Sequence, residues 1–360
     1  MILAILVIPK ILVIAVRHSL YDEHDDRKTH TGSVPRIGGV SFIPCIFFAM
    51  QFSIGVFYRY VDGIEYNGLY PNHSVFSFFS CGVLLIYLGG VKDDLVGLRY
   101  LHKFIIQVIS SVLIVISGFY INNFYGFLGI HEITPWIGIP LTIFILIFVV
   151  NAINLIDGMD GLASSISIFA LCIYGTLFLL HGIWYYAALA FSTIGVLIPF
   201  FYYNMIGSAR KGRKIFMGDS GSLTLGFILG FLAVRYACYK PDFITLTGNA
   251  LVIAVSPLLV PMLDVIRVML IRIRNHKHLF KPDRNHIHHK LQDMGIRKSS
   301  ALSLILSISG VLCVMNIFLL QYLNCTYIFL IDIVLWSSVN MYFSYVVRKR
   351  KRLKHNVNYP

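Results

Sequence analysis

Charged residues are scarce in this sequence of 360 residues, in which Asp, Glu, Lys and Arg together make up only 13%. A soluble domain carries about 25% of these residues. Hydrophobic residues reach 57%, and several apolar runs have the spanning length of roughly 20 residues that a helix needs to cross a bilayer. The shortage of charge therefore excludes an ordinary soluble protein and predicts a polytopic integral membrane protein.

Cysteine is also scarce, since the six cysteines are scattered and form no Cys-x-x-Cys pair. This spacing excludes a disulfide framework and a cysteine zinc site. The first apolar run has no small-residue cleavage site after it, so we expect it to be retained as a first span. Because no repeat or linker interrupts the chain, we predict one transmembrane catalytic domain over residues 1–345 and a basic cytoplasmic tail over 346–360.

The apolar runs predict an all-α bundle of about ten to eleven transmembrane helices, joined by cytoplasmic loops that carry the catalytic residues. The first run contains Lys10 and is the shortest. The predicted spans lie near 2–16, 37–58, 74–91, 104–121, 136–153, 162–181, 184–203, 218–236, 248–270, 299–320 and 327–345.

Basic residues are concentrated on one side of the predicted bundle. The loops on that side and the tail hold 25 of the 30 Lys and Arg residues, and they are 17–36, 92–103, 154–161, 204–217, 271–298 and 346–360. The positive-inside rule assigns these segments to the cytoplasm and the N-terminus to the outside. This orientation accounts for the net charge of +13, so we expect a lipid bilayer and no nucleic acid as partner.

Acidic residues number only 17, so their positions are informative. Asp93 and Asp94 follow a Gly-Gly pair in the second cytoplasmic loop, and Lys103 comes shortly after them. Adjacent carboxylates suit Mg²⁺, a hard ion that prefers oxygen ligands. A loop cap is an equally open interpretation of this Asp-Asp pair.

The third loop, N-A-I-N-L-I-D-G-M-D-G, is rich in amides and carboxylates but contains no basic residue. Asn151, Asn154 and Asp157 are spaced by three, which predicts that they share one helical face, and Asp160 follows them. The loop lacks the closing Glu of a calcium-binding loop. Donors and acceptors at the mouth of a bundle favour recognition of a base and a ribose.

The fourth and fifth loops combine positive charge with further candidate residues. The fourth, R-K-G-R-K-I-F-M-G-D-S-G-S, places Phe216 and Asp219 after four basic residues, which favours a nucleotide diphosphate and a bound metal. The G-x-S-x-G pattern of a serine nucleophile is absent. The fifth contains Arg284 and the H-I-H-H run with His288 and His289, and the lack of a nearby cysteine favours anion binding over zinc.

Taken together and in this order, the D-D, N-x-x-N-x-x-D-G-M-D-G-L-A, F-M-G-D-S-G-S and H-I-H-H-K-L motifs resemble those of the polyprenyl-phosphate N-acetylhexosamine-1-phosphate transferases. The resemblance extends from about residue 27 to 295. It implies that a sugar 1-phosphate passes from a UDP-sugar to undecaprenyl phosphate, with release of UMP and with Mg²⁺, or Mn²⁺ in its place. The H-I-H-H-K-L and V-P-R-I-G-G-V segments look like the UDP-GlcNAc branch, which primes O-antigen, teichoic acid or capsule.

The resemblance also implies roles for individual residues. Catalytic roles fall to Asp93, Asp94, Asp219, His288 and His289, with Asp94 and Asp219 as metal ligands. Substrate contacts fall to Lys103, Asn151, Asn154, Asp157, Asp160, Phe216 and Arg284, with Phe216 stacking on the uracil.

Several alternatives remain open from the sequence. The peptidoglycan branch, which transfers phospho-MurNAc-pentapeptide, is one, although it typically has three consecutive histidines. A secondary transporter is another, but transporters usually show repeated halves and polar groups near the midplane. The transfer can proceed in one step or through an aspartyl-phosphate on Asp93 or Asp94. We expect a bacterial inner membrane location with the site facing the cytoplasm, and a homodimer is a further open possibility.

Overall fold

The computed structural model describes residues 1–18, 34–60, 73–209, 212–238, 249–276 and 285–357. Within these ranges the protein is helical apart from one hairpin of two short strands, β1 (Asn123–Phe127) and β2 (Ile130–Glu132). The helices are α1 (Ile2–Arg17), α2 (Phe42–Tyr60), α3 (His73–Val96), α4 (Tyr100–Ile116), α5 (Pro135–Ile156), α6 (Leu162–Leu180), α7 (Trp184–Phe201), α8 (Gly218–Ala237), α9 (Ala250–Val255), α10 (Leu259–Arg274), α11 (Ile287–Asp293), α12 (Lys298–Leu319) and α13 (Cys325–Val357).

Nine helical segments in the described ranges are long and apolar enough to cross a membrane. They correspond to nine of the eleven predicted runs, so the all-α polytopic class is confirmed. The other two runs form α1 and α4, which have 16 and 17 residues and are shorter than a full span. Pro9 and Lys10 interrupt the apolar character of α1.

The chain forms two compact units. Unit 1 comprises Met1–Asn123 and Glu132–Leu246, and unit 2 comprises Phe124–His131 and Thr247–Pro360. This division into two units does not test the single catalytic domain predicted over residues 1–345, which stays a prediction. Helix α13 continues through residue 345 without a break, so the predicted start of the tail lies inside a helix.

Helix α8 is the central helix of unit 1, and every one of its residues except Asp219 is buried. It packs against α3, α5 and α6. A helix that is apolar on all sides is stable only when other helices surround it. The first turn of α8, which begins at Gly218, lies where α3 and α5 end and α4 begins, and the polar motifs of unit 1 meet there.

Unit 2 contains a buried polar contact between two spans. The side-chain amide of Asn316 on α12 donates to Asp332 Oδ2 on α13 at 3.0 Å and to Ser256 Oγ at 2.9 Å. All three side chains are buried. Ser256 begins the short 3₁₀ turn Ser256–Leu258 between α9 and α10, so one amide ties three elements of the unit together. In hydrocarbon, such groups are costly unless they are paired.

We expect Asn316→Leu to destabilise the protein, because Asp332 and Ser256 would lose their buried donor. The free energy of unfolding should fall by about 1–3 kcal/mol, measured as thermal unfolding in detergent. Asp332→Asn is the matched control, since an amide of the same shape still accepts a hydrogen bond from Asn316. Equal unfolding midpoints for Asn316→Leu and the wild type would show that the contact does not stabilise unit 2.

Candidate active site

Asp93 lies in the last turn of α3 and is held by the turn that follows. Its Oδ1 accepts a hydrogen bond from the backbone N–H of Leu98 at 2.7 Å. Its Oδ2 accepts from Lys103 Nζ, also at 2.7 Å. Lys103 lies in the first turn of α4, so the short connection between α3 and α4 fixes both charges at one end of unit 1.

Lys103 also contacts the carboxylate at the start of α8. Its Nζ lies 2.7 Å from Asp219 Oδ2, and the lysine and aspartate side chains are 24% and 21% exposed. Asp93, Asp94 and Asp219 each offer one oxygen, and the three oxygens lie within 4.8 Å of one another. Three convergent carboxylates with partial access to solvent fit a hard divalent cation such as Mg²⁺.

Asp94 has a different environment from Asp93, because both of its oxygens face the first turn of α8. Oδ1 accepts from the backbone N–H of Asp219 at 2.7 Å. Oδ2 accepts from the backbone N–H and the hydroxyl of Ser220, at 3.0 and 2.5 Å. A carboxylate is favourable at a helix N-terminus, where backbone N–H groups lack partners. Asp94 thus caps α8 from a neighbouring helix and fixes the position of Asp219, and its direct binding of a metal stays a prediction.

The two asparagines of the third motif separate into different contacts. Asn154 Nδ2 lies 3.3 Å from Asp219 Oδ1 and 2.8 Å from Ser222 Oγ, so it joins the carboxylate cluster. Asn151 Nδ2 instead donates to Gln107 Oε1 on α4 at 2.6 Å. The cluster therefore includes Asn154, while Asn151 links α5 to α4 beside it.

Asp157 directly follows the end of α5 and is half-buried. Burial raises the pKa of this carboxyl well above its usual range, and repulsion from Asp219 and Asp160 adds to the effect. The nearby Arg36 lowers the pKa in part. A carboxyl that keeps its proton more readily can donate a hydrogen bond as well as accept one, which suits a ribose hydroxyl.

Asp157→Asn is expected to stabilise the protein at pH 8, because the amide removes a charge that the fold disfavours. A raised folded pKa means that ionisation costs stability, so the difference between the variant and the wild type should appear above the unfolded pKa of about 4 and grow with pH until the folded pKa is passed. We expect a gain of order 1 kcal/mol in thermal unfolding at pH 8 and no gain near pH 4. A gain that is independent of pH would contradict this assignment.

Asp160, which lies in the same loop as Asp157, forms an ion pair with Lys214. Lys214 Nζ lies 2.8 Å from Asp160 Oδ2, and the two side chains are 11% and 8% exposed. The same ammonium group lies 5.8 Å from the centroid of the Phe216 ring. Phe216, the predicted uracil-stacking residue, therefore lies next to the Lys214 cation. Asp160, a predicted nucleotide-binding residue, holds that cation in place.

The segment around Phe216 is fixed by the P-R-I-G-G motif of the first loop. The backbone N–H of Phe216 donates to Pro35 O at 2.8 Å, and that of Gly38 donates to Phe216 O at 3.0 Å. The backbone N–H of Gly39 donates to Met217 O at 2.8 Å. These bonds run like those of a short strand pair, and they hold the P-R-I-G-G motif against the segment that precedes α8.

The H-I-H-H motif belongs to unit 2. His288 is 1% exposed, and neither of its ring nitrogens has a hydrogen-bond partner among the described residues. Burial lowers the pKa of His288 to about 3, and the adjacent His289, whose ring centroid is 4.2 Å away, adds to the effect. His288 is therefore a neutral ring. Arg284 lies outside the described residues, so its predicted role stays a prediction, as do those of the two histidines.

Three residues of the candidate site were not predicted from the sequence. Ser220 and Ser222 bond Asp94 and Asn154 respectively, a role that the G-D-S-G-S motif alone does not indicate. Lys214 was counted only as one of four basic residues, whereas it pairs with Asp160. The available signal was the start of an apolar run directly after G-D-S-G-S, because polar residues at a helix start commonly satisfy free backbone or side-chain groups.

Comparison with known proteins finds relatives that cover most of the chain. Residues 76–237 match glycosyl transferase family 4. A relative from Bacillus subtilis, named as a probable undecaprenyl-phosphate N-acetylglucosaminyl 1-phosphate transferase, is 31% identical over 293 residues, which cover 81% of this chain and 75% of the relative. Relatives named undecaprenyl-phosphate alpha-N-acetylglucosaminyl 1-phosphate transferase are 26% identical in Yersinia pestis, over 84% of this chain and 78% of the relative, and in Escherichia coli K12, over 81% and 74%.

The membrane-spanning helices and the relatives together define a polytopic membrane enzyme that transfers a sugar-phosphate to a polyprenyl phosphate. The chain belongs to glycosyl transferase family 4, in the branch that contains the undecaprenyl-phosphate N-acetylglucosaminyl 1-phosphate transferases. The resemblance found in the sequence motifs is thereby confirmed, and the transporter alternative is excluded.

Proposed function

We propose that this protein transfers N-acetylglucosamine 1-phosphate from UDP-GlcNAc to undecaprenyl phosphate and releases UMP. The observation that carries the proposal is the convergence of Asp93, Asp94 and Asp219 within 4.8 Å, with Lys103 bonded to two of them. Donor and acceptor are both anionic, so their repulsion is the main obstacle to the reaction. A site for this transfer needs cationic groups and metal ligands at one point, and these residues supply them.

Mg²⁺, held by Asp219 with Asp93 or Asp94, would neutralise negative charge on the diphosphate as the phosphorus–oxygen bond to UMP breaks. Lys103 would contact a phosphate oxygen, because its ammonium group already lies at the cluster, where it contacts Asp93 and Asp219. Asn154 fixes Asp219 from the opposite side. Asp157, Asp160 and Lys214 would bind the nucleotide beside Phe216.

The geometry favours attack by the lipid phosphate in one step over an aspartyl-phosphate. The oxygens of Asp94 accept hydrogen bonds from the start of α8, and those of Asp93 from Leu98 and Lys103. Hydrogen-bonded carboxylates are weaker nucleophiles. A phosphate monoester is already largely ionised at pH 7, since its second pKa is about 6, so the acceptor needs no strong base.

The proposed membrane orientation places the cluster at the cytoplasmic face of a bacterial inner membrane. The cluster lies at the ends of α3 and α5 and the starts of α4 and α8, and the segments 92–103 and 204–217 at this end are basic. The positive-inside rule puts basic segments in the cytoplasm. A water-soluble nucleotide and a lipid headgroup can both reach a site at that surface.

The proposal is tested with the purified full-length protein in detergent, undecaprenyl phosphate, Mg²⁺ and radiolabelled UDP-GlcNAc. Label should enter the organic phase, and UMP should be released in equal amount. Both should require the lipid phosphate and the metal. Label transfer from UDP-MurNAc-pentapeptide instead would contradict the donor and support the peptidoglycan alternative, and the absence of transfer from either donor by folded protein would contradict the reaction.

A further inference from the structure

Unit 2 contains a buried ion pair on α10 that contacts Asn285 and the first two residues of the H-I-H-H segment, His286 and Ile287. Asp264 is 1% exposed, and its Oδ1 lies 2.8 Å from Arg267 Nη2 one turn later. Arg267 Nη2 also donates to the backbone carbonyl of Asn285. Asp264 accepts from the backbone N–H of Ile287 at 3.2 and 3.3 Å, and its Oδ2 lies 2.8 Å from His286 Nδ1.

These contacts determine the chemistry of His286 as well as its position. Asp264 is flanked by the Arg267 cation and accepts hydrogen bonds, so it is an ionised acceptor that cannot donate to the ring. His286 Nδ1 must therefore carry a proton, and the bond fixes the orientation of the ring. Nε2 is the ring atom left for another partner. A buried carboxylate inside an apolar helix is costly, so its retention indicates a function.

We propose that Asp264 and Arg267 are positioning residues that hold the H-I-H-H segment and keep the His286 proton on Nδ1, so that Nε2 can accept a hydrogen bond from a hydroxyl group of the substrate. The proposal rests on the proposed transfer reaction for its substrate. The pair acts through His286 and does not itself contact the substrate.

The test uses Asp264→Asn in the full-length protein with ¹⁵N-labelled histidine, in two separate measurements. The first needs no substrate. Long-range ¹H–¹⁵N spectra report which nitrogen of each histidine carries the proton, and loss of a signal in His286→Gln assigns His286 among the 13 histidines. Wild-type His286 should show a protonated Nδ1. In Asp264→Asn the amide can donate to Nδ1, so we expect the proton to move to Nε2.

The second measurement is the steady-state transfer of label. We expect Asp264→Asn to lower kcat/KM for UDP-GlcNAc by about tenfold or more, the effect that loss of a carboxylate behind a functional histidine has at metal sites. Its thermal unfolding midpoint should stay close to that of the wild type, so that the loss of activity is not a loss of folded protein. Asp332→Asn is the matched control, because Asp332 is an equally buried carboxylate of unit 2 whose hydrogen bond goes to Asn316, and it should keep full activity.

Each result supports or overturns the proposal. A protonated Nδ1 that persists in Asp264→Asn overturns the control of the His286 proton, whatever the activity. A proton that moves to Nε2 with kcat/KM within twofold of the wild type overturns the positioning role. If the wild type transfers no label, the proposed function fails, yet the first measurement still decides whether Asp264 sets the proton position.

Discussion

Asp219→Asn is expected to lower the rate of sugar-phosphate transfer by at least about a hundredfold. Asp219 lies at the centre of the cluster, in contact with Lys103 and Asn154, and it is the carboxylate that the capped start of α8 holds in place. A bound metal supplies several kcal/mol to such a reaction, and each 1.4 kcal/mol is about tenfold in rate. Replacing one anionic ligand by an amide should remove most of that contribution.

The effect is measured as kcat in the radiolabel assay, at Mg²⁺ concentrations up to tens of times that needed by the wild type. Glu132→Gln, which changes an exposed carboxylate on β2, is the control and should retain full activity. The variant should remain folded, because an amide of the same size still contacts Asn154. Retention of more than a tenth of the wild-type rate would show that Asp219 is not the principal metal ligand.

Gly39→Ala is expected to reduce stability by about 3 kcal/mol or more and to abolish transfer with it. A Cβ atom on Gly39 would lie 2.0 Å from the backbone nitrogen and 2.3 Å from the Cα of Gly221. Both neighbours are backbone atoms of α8, so the clash can be relieved only by separating the two segments. That movement would break the hydrogen bond from Gly39 N–H to Met217 and displace the first turn that carries Asp219.

Gly55→Ala is the matched control, because a Cβ atom at this helical glycine would meet nothing within 4 Å. It should leave activity unchanged and raise stability slightly, by about 0.5–1 kcal/mol, since alanine restricts the unfolded chain more than glycine. Thermal unfolding in detergent and the transfer assay measure both variants. A Gly39→Ala protein with wild-type stability would contradict the close approach of the first loop to α8.

The membrane helices could be predicted from the sequence because span length is set by bilayer thickness and not by tertiary contacts. The approximate bounds of α5 and α8 follow from apolar runs alone. Helix α4 ends at Ile116, before the end of the run predicted near 104–121, because the backbone turns at Ser117 and Gly118, where Gly118 has a positive φ. A run of apolar residues does not reveal such a turn.

The membership of the carboxylate cluster was predicted, but the separate roles of its members were not. Asp93 and Asp94 are neighbours in sequence, yet one contacts Lys103 and the other caps α8, a distinction that depends on helix packing. The spacing of Asn151 and Asn154 predicts that they share one helical face. A step of three residues turns the side-chain direction by about 300°, so the two side chains point about 60° apart. This difference directs Asn151 to Gln107 and Asn154 to Asp219.

Asp264 shows what remained hidden in the sequence. An acid inside an apolar run signals a function, but His286, the histidine that Asp264 contacts, lies 22 residues away in a separate segment. No local pattern predicts that pairing, since it depends on how the segment before α11 returns to α10. Contacts of this kind are set by tertiary structure.

We propose that Asp219, with Asp93 or Asp94, holds the metal ion of the transfer reaction, and a measurement of Mn²⁺ binding tests this directly. Electron paramagnetic resonance of free Mn²⁺, titrated with purified protein and UDP-GlcNAc, counts the ions bound per chain without relying on turnover. We expect one bound ion in the wild type and in Glu132→Gln, and none at the same concentrations in Asp219→Asn. Equal binding by Asp219→Asn and the wild type would contradict it.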